Sequence, residues 1–185
     1  QGGRTVKGEP LPKGRALRVL PALMYNLEQR QEKTSWRSYG GLRTESDIAA
    51  EIGRITAELN QLVEKAEFPI QILLLASVRD EAAARQVAAA DADAIVLYAA
   101  SGWTNLVNLV AASKTPMVMF IRHKSGPFYL WYEIAHWRFL RQNGDTFAVA
   151  NADAQDIVVD DYAEMLWRLR ALYGLANAKG TKMLA

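Results

Sequence analysis

Apolar and polar positions follow one another along this chain in a repeating order: a short apolar run, a polar turn, then a segment with helical spacing. Residues 16–24 (ALRVLPALM) form the first apolar run and predict a strand, with a bulge or early end at Pro21, which has no N–H to give to a ladder. Ile48, Ile52, Ile55, Leu59 and Leu62 then recur at steps of four, three, four and three, a single apolar stripe on a helix. Thr44 and Asp47 ahead of that stripe stand as in a capping box, with Asp in place of Glu. A continuous apolar run at 70–76 (IQILLLA) predicts a strand covered on both faces. An alanine-rich helix follows at 80–90.

The same order continues. Residues 94–99 (AIVLYA) predict a third strand, and Leu106, Val107, Leu109 and Val110 a short helix. Residues 116–121 (PMVMFI) predict a fourth strand, leading through RHKSGP into an aromatic segment, FYLWYEIAHWRFL, at 128–140. Gly144 and Asp145 turn the chain into a fifth strand at 146–150 (TFAVA). A last helix spans about 161–173, with Gly174 as its stop. Strands that alternate with helices, with no hairpin signal between them, imply a parallel sheet with right-handed crossovers and helices on both faces. The expected fold is therefore α/β: one three-layer domain with a flavodoxin-like sheet in order 2-1-3-4-5. Residues 16–175 form that domain. Residues 1–15, rich in glycine, proline and charge, form a flexible arm, and 176–185 a linker and the start of a following strand.

Composition narrows the partners. The chain has 185 residues, half of them hydrophobic and 23% charged, enough for one domain with a real core. Its 22 basic and 20 acidic residues nearly balance, which argues against a nucleic-acid partner. No cysteine is present, so disulfides, thiolate metal sites and cysteine nucleophiles are excluded. No apolar run approaches the roughly 18 residues that span a membrane. The chain opens with Gln1, which implies an upstream segment removed, and no signal-peptide core remains in 1–15.

Ligands of such sheets bind beyond the carboxyl ends of the strands. Those ends bring Tyr25 and Asn26 from the first strand and Ser101, Trp103, Thr104 and Asn105 from the third. Arg122 and His123 come from the fourth. Hydroxyls, amides, a guanidinium and an indole face suit a small sugar, whose hydroxyls need donors and acceptors and whose apolar face packs on a ring. Ser101, Thr104 and Asn105 have a second reading as helix caps. Dinucleotide and phosphate-loop glycine patterns are absent, no acid–base or nucleophile–base pair emerges, and His123 and His136 are too far apart to make a metal pair. Asp91 with Asp93, and Asp160 with Asp161, flank predicted elements and are read as caps or solvated pairs. The aromatic segment carries more rings than one sheet face covers. Trp131, Tyr132, Trp137 and Phe139 are therefore expected at an interface with another subunit or domain.

The tail, DDYAEMLWRLRALYGLANAKGTKMLA at 160–185, resembles the joint between first and second domains in the L-fucose and L-arabinose isomerase family. The residues that carry the resemblance are Arg168, Leu169, Arg170, Leu172, Gly174, Leu175, Asn177, Gly180 and Thr181. The resemblance implies a cytoplasmic, oligomer-forming first domain that shapes a substrate opening. Its enzymes interconvert aldoses and ketoses with a divalent metal, usually manganese, held by later domains; none of those ligands maps onto this chain, which itself carries no cofactor. A rival resemblance is to the lobe of a periplasmic-type sugar-binding or regulatory protein, in DADAIVLYAAS followed by KTPMVMF, and it fits an exported mature chain. A flavin-binding domain is a third reading from fold analogy alone, without the phosphate-binding loop it needs after the first strand.

Overall fold

A computed structural model describes residues 14–27, 32–33, 41–135, 152 and 154–179. Its elements are β1 (Leu17–Met24), α1 (Glu45–Lys65), β2 (Ile70–Ile72), β3 (Ala76–Val78), α2 (Glu81–Ala88) and β4 (Ala94–Ala99). There follow α3 (Thr104–Ala111), β5 (Met117–Ile121), α4 (Trp131–Ile134), a 3-10 turn (Ala154–Asp156), β6 (Ile157–Val159) and α5 (Tyr162–Ala178). The sheet runs β2-β1-β4-β5-β6, with β3 also on β1, and its pairings are parallel. Because β2 and β3 lie in line along β1, this is the flavodoxin-like order with a broken second strand. The predicted fifth strand at 146–150 lies outside the described residues; β6 takes the place beside β5.

β1, β4 and β5 are buried almost throughout, as expected of strands covered by helices on both sides. α1 and α5 are joined by a hydrogen bond from Tyr162 Oη to Glu58, and Phe68, in the turn after α1, meets the ring of Tyr173 on α5. α2 packs with α3. The capping box forms as the spacing implies: Thr44 Oγ1 accepts from Asp47 N at 3.1 Å, and Asp47 Oδ2 accepts from Thr44 N at 2.9 Å.

Three expectations are corrected. First, Pro21 neither bulges nor ends β1, which continues to Met24 in the sheet interior. Leu17 N donates to Pro69 O, Leu73 N to Val19 O and Tyr25 N to Val78 O, so odd-numbered residues of β1 face the β2–β3 side. Pro21 shares that side. Register there passes from Val19↔Ile72 to Ala22↔Ala76, three steps on β1 against four on its neighbour. The missing N–H therefore falls opposite a one-residue bulge, and the irregularity sits in the partner strand. Second, residues 70–76 are not a covered strand. They form a broken edge, half-buried, with Leu74 at the bulge 91% exposed. Third, Gly174 does not stop the last helix, and α5 runs on to Ala178, so residues 176–178 are helical and not linker. Gly14 and Arg15 of the expected arm are held: Gly14 N donates to Tyr173 Oη at 2.8 Å, and Arg15 forms a two-pronged ion pair with Asp93 at 2.7 Å.

Candidate functional site

β1 and β4 are neighbours whose following helices, α1 and α3, lie on opposite faces of the sheet. Their carboxyl ends therefore diverge at the topological switch point, the ligand crevice of open α/β sheets. The two loops are tied there. Ala100 N and Ser101 N donate to Met24 O at 3.0 and 3.2 Å, and Asn26 N donates to Ser101 Oγ at 2.9 Å. Gly102 makes the turn with φ +117, and a Cβ there would sit 3.3 Å from Met24 Cγ, so both conformation and space select glycine. Tyr25 is buried below, with the Arg79 guanidinium 5.5 Å from its ring centroid. Trp103 stands 67% exposed at the rim. Tyr25, Asn26, Ser101 and Trp103 are thus brought together.

Capping does not explain the other residues of this loop. α3 begins after Trp103 with no side-chain cap. Ser101 serves the β1 loop, and Asn105 Nδ2 reaches across to Glu81 Oε1 of α2 at 2.9 Å. Thr104 is half-buried in the first turn. The first amides of α3 have no side-chain acceptor among the described residues.

Beyond β5 the chain folds back over the strand ends. Leu130 N donates to Ala100 O at 2.7 Å, and the Trp131 indole N–H donates to Gly102 O at 3.3 Å. Trp131 is fully buried in this contact, so it belongs to the core and not to an interface. Tyr132 is 39% exposed and stacks on His123, with centroids 3.8 Å apart and planes 5° from parallel. His123 thus sits between the ring of Tyr132 and the edge of Phe128. Trp137 and Phe139 lie outside the described residues, as does His136.

Arg122 is placed differently from its sequence-based assignment. It is 1% exposed and faces α1, away from the crevice. Its Nε donates to Glu51 Oε1 at 2.6 Å and its Nη2 to Glu58 Oε2 at 2.5 Å. Tyr129 Oη donates to the same Glu51 oxygen at 2.5 Å, and Tyr162 Oη to Glu58 at 2.6 Å. Arg54 pairs with Glu58 at 3.0 Å and donates to the carbonyls of Ser125 and Gly126. Burial alone would lower the Arg122 pKa, but the bonds and charges of Glu58, Tyr129 and Glu51 raise it instead. Burial raises the Glu58 carboxyl, yet bonds from Arg122 and Tyr162 hold it below its ordinary value. Burial, followed by Glu51, pushes the Tyr129 phenol up and keeps it a donor. Arg122 is a structural cation, not a ligand contact.

The backbone amides of the RHKSGP loop at His123–Ser125 are likewise used internally. Asp160, at φ +57, accepts from the amides of His123, Lys124 and Ser125 at 3.0, 2.7 and 3.2 Å, and from the Ser125 hydroxyl. Successive amides converging on one anion form a nest, and the chain fills it with its own carboxylate. Burial would raise the Asp160 pKa, but these bonds, led by the Ser125 hydroxyl, bring it down to about 2.

Glu51, Glu58 and Tyr129 carry no expected role from the sequence, and Asp160, read there as a cap or solvated residue, instead fills the loop. For the glutamates a signal existed: Glu51 lies three residues after Ile48 and Glu58 three after Ile55, within the turns of the buried stripe. At the opposite edge of the sheet, a cleft of about 200 Å³ opens between the end of α5 and the starts of β4 and β5, with Arg15, Asp93, Lys114 and Lys179 on its walls. Among the described residues no group of three or more His, Asp or Glu side chains is placed to hold a metal ion. Comparisons with family models, curated proteins and solved structures found no match.

Proposed function

We propose that this chain is a sugar-facing, non-catalytic α/β domain of the kind that opens the L-fucose and L-arabinose isomerases. One observation carries the reading: at the β1–β4 switch point an exposed indole, Trp103, stands beside the Ser101–Asn26 contact and the uncapped start of α3. An indole face takes the apolar C–H face of a pyranose. Amides and hydroxyls that no side chain caps take its oxygens. Among the described residues, Arg122 is buried and the amides of the loop at His123–Ser125 are filled by Asp160, so neither supplies the crevice with an anion site.

Titration of the full chain with L-fucose and L-arabinose, followed by amide chemical shifts, tests this. The expected result is millimolar binding with shifts at 25–26 and 101–105, weakened roughly tenfold in Trp103→Ala, the change that about 1.4 kcal/mol produces. Shifts confined to other surfaces would sink the proposal. Aldose–ketose conversion by this chain with manganese would overturn its non-catalytic part.

A further inference from the structure

A surface helix of a globular domain keeps one apolar stripe and shows solvent a polar one. α5 does not. Its inner stripe, Met165 and Leu169, is fully buried. Its outer face presents Ala163, Trp167, Ala171, Gly174, Leu175 and Ala178, with Trp167 54% and Leu175 50% exposed. Its charged neighbours are paired within the chain: Arg170 is drawn aside by a two-pronged pair with Glu67, and Arg168, over one side of the Trp167 ring, pairs with Glu164 at 2.7 Å. An apolar helix face left to solvent marks a contact between proteins.

Charge and shape both select the occupant. Asp160 and Asp161 lie at the start of α5, while Lys179 ends it beside Lys114. Antiparallel docking of two such helices sets the acidic end of each on the basic end of the other and opposes their dipoles. Centred between Arg170 and Ala171, the same arrangement lays Trp167 over Gly174 of the second copy and Ala163 over Ala178. Gly174 faces open space, with nothing within 4 Å of a Cβ built there, so a second copy's ring can approach the helix backbone closely. We infer that this chain forms a two-fold dimer through α5, packed antiparallel on α5 of a second copy. The surface is separate from the sugar crevice, and its test does not depend on ligand binding.

The native chain has no cysteine, so single cysteines report the geometry directly. Sedimentation equilibrium of the full chain is expected to show a monomer–dimer equilibrium. Trp167→Glu, an exposed position where folding is checked by circular dichroism, should weaken it roughly thirtyfold or more, the effect of losing a central aromatic anchor. Under mild oxidation Ala171→Cys should bridge to itself. Ala163→Cys and Ala178→Cys should bridge only when mixed. A monomer throughout the micromolar range overturns the inference. So does a dimer untouched by Trp167→Glu, or Ala163→Cys bridging efficiently to itself, which would mean parallel packing.

Discussion

Arg122 shows how far one residue's role depends on what faces it. Next to a glycine-containing loop at a strand end, a guanidinium looks like a ligand contact. In the structure it is 1% exposed and held by two glutamates of α1. A buried ion pair is weak evidence for added stability, but removing one partner strands the other charge without water. Arg122→Met should therefore cost about 3–5 kcal/mol in denaturant-induced unfolding. A cost below about 1 kcal/mol would mean that water reaches Glu51 once the guanidinium is gone. Asp160 gives a prediction in pH. Its folded pKa, about 2, lies below the ordinary 3.8, so its contribution is fully present above pH 3.8 and is lost as pH falls toward 2. Asp160→Asn should be less stable than the native chain at neutral pH, and unfolding curves of the two should converge over that acid window. A constant gap down to pH 2 would show that the carboxylate is not what holds the loop.

At the scale of elements, local pattern was a sound guide wherever one element's own residues decide its structure. The β4 strand spans the predicted residues, and the α1 stripe and its capping box form as the spacing implies. Thr44→Ala should cost about 1 kcal/mol by leaving the first-turn amide of Asp47 without its acceptor, whereas Thr44→Ser should be close to neutral. Equal losses for both variants would mean that the methyl group, not the hydroxyl, is what α1 needs. Errors arose where neighbours decide. The run at 70–76 has the composition of a buried strand but lies at an edge, because no local pattern tells how many strands stand on its far side. The Pro21 irregularity was foreseen and assigned to the wrong strand: proline removes a donor, but which strand bends depends on the pairing partner. Gly174 carries the usual stop signal, yet α5 passes through it, since packing of Leu172, Tyr173 and Ala176 against the core holds the next turn.

At the scale of the molecule, two surfaces separate. The carboxyl edge at β1 and β4 carries the groups that a sugar would meet, and the outer face of α5 carries the apolar area that a second copy would cover. Of the eight residues named for ligand binding, Tyr25, Asn26, Ser101 and Trp103 cluster at the switch point. Asn105 turns to Glu81, and Arg122 is buried away from the crevice. The interface expected on the aromatic segment is not met at Trp131, and Trp137 and Phe139 lie outside the described residues. Trp131 in the aromatic segment is buried, while Trp167 on α5 is exposed. Helical spacing shows which residues share a face; which face the sheet takes is set only when the sheet exists.

By itself the sequence determined the alternation of strands and helices as far as β5 and the parallel α/β class, and with it the edge of the sheet where ligands are sought. Each follows from short-range properties: apolar runs, helical spacing, turn residues and the handedness of crossovers. Tertiary structure alone decided which polar groups at that edge remain open. Glu51 and Glu58 reach Arg122 across more than sixty residues, and Asp160 fills the loop at His123–Ser125 across more than thirty. A donor's availability depends on whether another part of the chain arrives with an acceptor. Spacing along a single segment holds no record of that arrival.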